Sequence, residues 1–354
     1  MLRIRAFEPE DVSQVAALRG RVFRQARGQG EALEAYLRAV FFAAPWVDPS
    51  LPALVSEEDG RITGFVGILP RPFVRDGEPV RAAVATQIMV APESRGLAGV
   101  RLMRAAFAGA QDVLFADVVN RDARILWERS GGSTALLYGF QWVRPLRPAR
   151  HAAAALGHAP LARGTRFMAS PFFRVVDSVA APAAVRAKPG CTVEAMPDLA
   201  AVPALLPRTA ATHAILPVYD AGSLAWLMER ARERWREERV RAALVRGAEG
   251  EPIGWFVYLD GGAGTAQVLQ LAALPARRGE VLRQLFRHAW RGGAAAVRGR
   301  ADPPWMDDVA AAGCRWERSG EGVIVHSRRP ELLSAFLRGD AVLSGLDGEW
   351  WMDF

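Results

Sequence analysis

The amino-acid sequence predicts an α+β (mixed α/β) fold made of two similar domains, each a twisted, mixed, mostly antiparallel sheet flanked by helices. Three observations lead there. Segments that alternate apolar and polar residues, as strands do, are interleaved with segments whose apolar residues recur at helical spacing. At 354 residues the chain exceeds what one small core organises, so two domains are expected. A series of landmarks in residues 1–145 also returns in the same order after about residue 190, the mark of a duplicated unit.

The chain opens with LRIRAF, which alternates like a strand, and Pro9 then starts a helix through Asp11, Val15, Leu18 and Val22. A second helix is expected over 31–42. Residues 53–69 read as two strands joined at Asp59-Gly60, and a second pair, Asp76-Gly77, turns the chain into the strand PVRAAVATQIMV. Asp-Gly suits the positive φ angles of a tight hairpin. VAPESRGLAGVRLM then passes from strand through proline into a helix over 98–110. DVLFADVV reads as a buried strand, RDARILWERSG as a short helix closed by Gly131, and STALLYGFQWV as a single last strand.

Residues 145–189 are rich in Ala, Pro and Arg and read as a linker with a partly ordered stretch at 167–179. Beyond it the plan restarts. TVEAMPDLAAVPALL repeats the strand, proline and helix, and GEPIGWFVYL answers GRITGFVGIL. ALPARRGEVLRQLF answers the earlier turn, with Pro275 for Pro92, Arg278 for Arg95 and Gly279 for Gly96. The expected division is a first domain over 1–147, a linker over 148–189 and a diverged second copy over 190–354.

The net charge of +7 invites a nucleic-acid reading, but all 45 basic residues except Lys188 are arginines, interleaved with acids as in RARERWREERVR. That pattern is a solvated helix face, not a phosphate-tracking stripe. Cys191 and Cys314 are too few for a disulfide framework and lack metal-ligand spacing. There is no signal-peptide pattern and no apolar run of bilayer length. The expectation is a cytoplasmic protein with no metal, no membrane contact and no nucleic-acid partner; the oligomeric state stays open.

A strand, turn and helix in this order leave backbone N–H groups free at the helix start, where the dipole also favours an anion. Val90, Pro92, Arg95 and Gly96 form the sequence V-x-P-x-x-R-G, and Asn120, Ala123, Trp127 and Gly131 fit the spacing N-x-x-A-x-x-x-Y-x-x-x-G. Together they resemble the GNAT superfamily of acyl-CoA-dependent N-acyltransferases over about residues 1–145, with the second half a degenerate copy. The resemblance implies a sheet with two neighbouring strands splayed apart and an acyl-pantetheine arm in the gap, paired like an added strand. Ile88, Met89 and Val90 would offer it backbone groups. Arg95, Gly96, Leu97, Ala98, Gly99 and Val100 would wrap the pyrophosphate, with Asn120 also at the cofactor site. Acetyl-CoA, or another acyl-CoA, would be the co-substrate, and an amine of a small molecule or sugar the acceptor.

Ala98 and Val100 stand where the family loop R/Q-x-x-G-x-G/A has glycine, and Trp127 stands where it has an acid tyrosine. Thr86 and Gln87 occupy a region where relatives often carry a carboxylate, so the catalytic acid and base are unassigned. Tyr138 and Asp117 are candidates that also suit packing or pairing. In the second copy the helix starts at once after Gly279, with Glu280 where a phosphate would lie, which suits a structural or acceptor-side domain. The last residues, DGEWWMDF, either line the acceptor site or anchor the tail. Two other readings stay open: a non-catalytic binding or regulatory protein of the same fold, and an aminoacyl-tRNA-dependent peptidyl transferase-like protein.

Overall fold

A computed structural model describes residues 2–23, 30–94, 96–156, 190–235, 239–319 and 322–352. The first half runs β1 (Arg3–Ala6), α1 (Val12–Phe23), α2 (Gly30–Phe41), β2 (Leu54–Glu58), β3 (Arg61–Arg75), β4 (Glu78–Val90), α3 (Leu97–Phe107), β5 (Val113–Val119), α4 (Arg121–Ser130), β6 (Ser133–Thr134), β7 (Phe140–Pro145) and α5 (Pro148–Leu156). The second runs β8 (Thr192–Ala195), α6 (Val202–Thr209), β9 (Ile215–Pro217), α7 (Ala221–Trp235), β10 (Val240–Arg246), β11 (Pro252–Leu259), β12 (Thr265–Ala273), α8 (Arg278–Arg291), β13 (Ala296–Arg300), α9 (Met306–Ala311), β14 (Arg315–Arg318), β15 (Gly322–Ser327) and α10 (Pro330–Arg338). The stretch read as partly ordered at 167–179 lies outside the described residues. Both expected hairpin turns form, with positive φ at Asp59 and Gly60 and again at Asp76 and Gly77.

These strands make two mixed sheets that do not divide at any one point of the chain. The first has the order β1-β2-β3-β4-β5-β15-β6, with β9 on the far end of β3; the second has the order β14-β7-β13-β12-β11-β10-β8. The last strand of each half therefore sits in the sheet of the other half. β15 lies antiparallel between β5 and β6, and β7 antiparallel between β13 and β14.

This exchange corrects the single last strand expected over 133–143. Ser133–Thr134 stays in the first sheet, a 3-10 turn at Leu136–Gly139 intervenes, and Phe140–Pro145 crosses to the second sheet. The physical cause lies in the partner strand. Gly299 of β13 has no side chain, and a Cβ there would come within 2.3 Å of the Trp142 indole. Trp142 fills that space and is buried with Phe286 of α8.

Three apolar clusters hold the molecule. One lies between the outer face of the first sheet and helices α3 and α4, and a second between the second sheet and α8. The third and largest is shared by both halves: α1 and α2 meet α6 and α7 there, with the inner faces of both sheets and Trp350, Trp351 and Met352. Polar links also cross between the halves, a buried ion pair among them. The buried carboxylate of Asp117, on β5, accepts from Arg300 Nη2 of β13 at 3.0 Å and from the Glu349 N–H at 2.9 Å. Asp117→Ala is expected to cost about 3–5 kcal/mol, because it strands a largely buried guanidinium. Urea unfolding measures it, and a loss below about 1 kcal/mol would mean the pair does not hold the halves together.

Candidate functional site

β4 and β5 run parallel and pair only over Ala82, Ala83 and Val84 with Val113, Leu114 and Phe115. Beyond that point they part. The register of β3 and β4 also shifts between Phe65 and Gly67, so that β4 carries one extra residue, and Gln87 adopts φ +49. Such a bulge bends the strand and re-aims its backbone groups. The gap opens into a cleft of about 540 Å³ between Ala85–Ile88 on one side and Ala116, Val118 and Val119 on the other.

At the outer end of β4 the chain turns straight into α3. Gly96, the residue before the helix, has φ +106, a conformation that side chains resist, and the first-turn N–H groups of Leu97, Ala98 and Gly99 have no intrahelical acceptor. Gly99 faces α4 and β4: a Cβ there would lie 3.4 Å from Leu126 and 3.5 Å from Val90. Its small size thus seats the helix on its neighbours, while Ala98 and Val100 are half-buried and Leu97 is exposed. Ile88 lines the cleft, Val90 is half-buried and the Met89 side chain is in the core. Arg95 lies outside the described residues. Asn120 lines the cleft, and its side-chain oxygen caps α4 by accepting from the Ala123 N–H at 2.9 Å.

The acid candidates resolve into structural roles. Trp127 borders the cleft but is buried, edge-on to Phe107 with ring centroids 5.1 Å apart. Tyr138 lies away from this cleft, and its hydroxyl donates to the Ala341 carbonyl at 2.6 Å. Burial pushes its phenol well above the usual range. Asp117 is taken by Arg300 and Glu349. His213 pairs with Asp302, His288 with Tyr258, and His326 stacks on Phe107.

The far wall of the cleft comes from the second half, and sequence reasoning missed most of it. Arg234 and Trp235 of α7 line it, within the stretch read as a solvated face, with the Arg234 guanidinium 4.5 Å from the Trp235 ring. Arg19 and Phe23 of α1 line it opposite. The C-terminal segment both anchors and lines. Glu349, Trp350 and Met352 reach the cleft, the Met352 carbonyl accepts from the Tyr36 hydroxyl at 2.7 Å and from Gln87 Nε2 at 2.9 Å, and Trp235 Nε1 donates to the Trp350 carbonyl at 3.0 Å. Trp351 packs edge-on against Trp46 and Trp226, with the buried Arg71 guanidinium over Trp46 at 4.0 Å. Desolvation lowers Arg71 to about 10, so it stays charged at neutral pH. Asp353 and Phe354 lie outside the described residues.

The second half repeats the splay and then fills it. β12 and β13 are parallel over only three pairs, Thr265 to Gln267 with Ala296 to Arg298, yet the space beyond is about 60 Å³. Trp142 enters from one side, and Gly345 packs on Leu269 so closely that a Cβ would lie 3.2 Å from its backbone. At the start of α8 the Glu280 carboxylate accepts from Arg277 Nη2 at 2.9 Å and from the Cys191 thiol at 3.1 Å. A carboxylate ion-paired with Arg277 thus stands where the first half presents free N–H groups.

Among the described residues no helix is long and apolar enough to cross a membrane, and no group of three or more His, Cys, Asp and Glu side chains could hold a metal ion. Residues 3–112 match the family model of the acetyltransferase (GNAT) domain. Solved structures are similar over nearly the whole chain. A probable N-acyltransferase from Enterococcus faecalis has a TM-score of 0.60 at 11% identity, over 96% of this chain and 75% of that one. A GCN5-related N-acetyltransferase from Anabaena variabilis has a TM-score of 0.59 at 12% identity, over 93% and 74%. The N-myristoyltransferase of Saccharomyces cerevisiae with bound myristoyl-CoA and inhibitors has a TM-score of 0.50 at 11% identity, over 92% and 79%. At these identities the likeness is one of fold. No curated protein sequence matches.

Proposed function

We propose, from the GNAT fold that the chain adopts, that it transfers an acetyl or other acyl group from acyl-CoA to an amine of a small-molecule or sugar acceptor. The observation that carries this reading is the asymmetry of the two splays: one open beside free helix N–H groups, the other filled beside the half-buried Glu280–Arg277 ion pair. One working cleft follows. In functional terms residues 1–147 would hold the acyl-CoA, residues 190–354 the acceptor side, and 148–189 would connect them.

In this reading the pantetheine arm lies along β4 against Ile88, Met89 and Val90, while the turn from Arg95 and Gly96 through Leu97, Ala98, Gly99 and Val100 takes the pyrophosphate, with Asn120 beside it. The neutral amine attacks the thioester carbonyl, the oxygen gains negative charge, and the intermediate collapses as the C–S bond breaks, CoA leaving as the thiolate and the nitrogen's surplus proton passing to solvent. Backbone N–H groups re-aimed by the bulge at Gln87 suit the stabilisation of that oxygen. Calorimetric titration with acetyl-CoA is expected to show saturable binding at one site per chain, with CoA release on adding acceptor amines. Two equivalent sites, or none, would contradict it.

Trp127 favours one other reading, a non-catalytic acyl-CoA-binding module, since an indole cannot protonate a thiolate. Binding without CoA release across a broad amine panel would select it.

A further inference from the structure

We propose that the C-terminal segment, through the side chains of Met352 and Trp350, forms the end wall of the acyl pocket and limits the donor to short acyl chains. The proposal rests on the acyl-CoA reading above and adds the chain length of the donor.

The direction of the cleft supports it. Phosphate donors sit at the outer end of β4, where Gly99 meets Val90, so an arm laid along that strand runs inward past Ile88 toward the bulge at Gln87. Behind the bulge the lining is small, with Ala85 and Ala116 beside Thr86, and the strands close again where Val84 pairs with Phe115. An acyl chain cannot continue between them. Its remaining direction is toward the second half, where Met352 and Trp350 stand.

That wall is fixed. The Met352 carbonyl is held by Tyr36 and Gln87, the Trp350 carbonyl by Trp235, and the Glu349 N–H by Asp117, so elements of both halves clamp it. Met352 and Trp350 are 2% and 9% exposed. A rigid, close-packed surface has no room to yield to extra methylenes. Within the pocket each added methylene gains about fourfold in affinity, and the first to meet the wall reverses the trend.

The test is calorimetric titration of the full chain with CoA and with acetyl-, butyryl-, hexanoyl- and octanoyl-CoA. Wild type is expected to bind the short donors and to lose at least tenfold at hexanoyl or octanoyl. Met352→Ala is expected to move that break by about two carbons while CoA itself binds within twofold of wild type. Ala116→Val, on the opposite wall, is expected to move it the other way, and a thermal melt of each variant establishes that it is folded. Octanoyl-CoA binding wild type as tightly as acetyl-CoA would overturn the proposal, as would an unchanged profile in both folded variants that still bind CoA. Absence of binding by every CoA species overturns the acyl-CoA reading instead, and the wall's role with it.

Discussion

A chain ended after residue 147 is expected not to fold. The fragment keeps β5 and β6 but loses β15, the strand that joins them, with its buried Val323, Ile324 and Val325. Burial of each such side chain is worth about 1.5–3 kcal/mol, so the three together rival the whole net stability of a small domain, about 5–15 kcal/mol. The fragment would also expose β7, whose Trp142 and Val143 are buried only against the second sheet. Loss of a middle strand opens an edge as well, which invites aggregation. Circular dichroism should show no cooperative melt for 1–147 alone, and mixing with 190–354 should restore one. A cooperative transition in the isolated fragment would show that the exchanged strands are dispensable.

The second large effect is expected at the start of α3. Ala98 is the second residue of the helix and half-buried, at a place where the GNAT family loop has glycine. Ala98→Glu puts a carboxylate in the first turn, which the helix dipole stabilises by about 0.3–1 kcal/mol. The melting temperature should therefore hold or rise slightly. For an incoming pyrophosphate the same carboxylate is a like charge at close range, and acetyl-CoA binding should weaken by about a hundredfold, about 2.7 kcal/mol. Ala98→Gln, of the same size without the charge, should weaken it by less than about tenfold, since a neutral side chain removes only space. Equal binding by the glutamate variant and wild type would mean that the pyrophosphate does not sit at this turn.

Much of the first half was legible because its signals are short. Asp59-Gly60 and Asp76-Gly77 each specify a hairpin within two residues, and Asn120 and Gly131 bracket α4 by capping chemistry at both ends. The strand, turn and helix at Val90 were readable for the same reason, and so was their echo at Ala273. The far wall of the cleft was not. Arg234, Trp235, Glu349, Trp350 and Met352 lie far along the chain from β4, and nothing near them in sequence marks a cleft. In RARERWREERVR the charge pattern is that of a solvated face, and only the approach of the first half turns Arg234 and Trp235 into lining.

By itself, then, the sequence determined the hairpins of the first half, the caps of α4, and the turn where backbone donors meet the end of a strand. Propensity, periodicity and capping act over a few residues, and each half carries its own set. The tertiary structure alone decided which sheet β7 and β15 would join, and with that which splay would stay open. Two mixed sheets of like build offer like strand edges, so local pattern cannot distinguish pairing within a half from pairing across halves. The choice rests on contacts between residues far apart in the chain, such as the Trp142 ring over Gly299, which exists only once both halves are folded together.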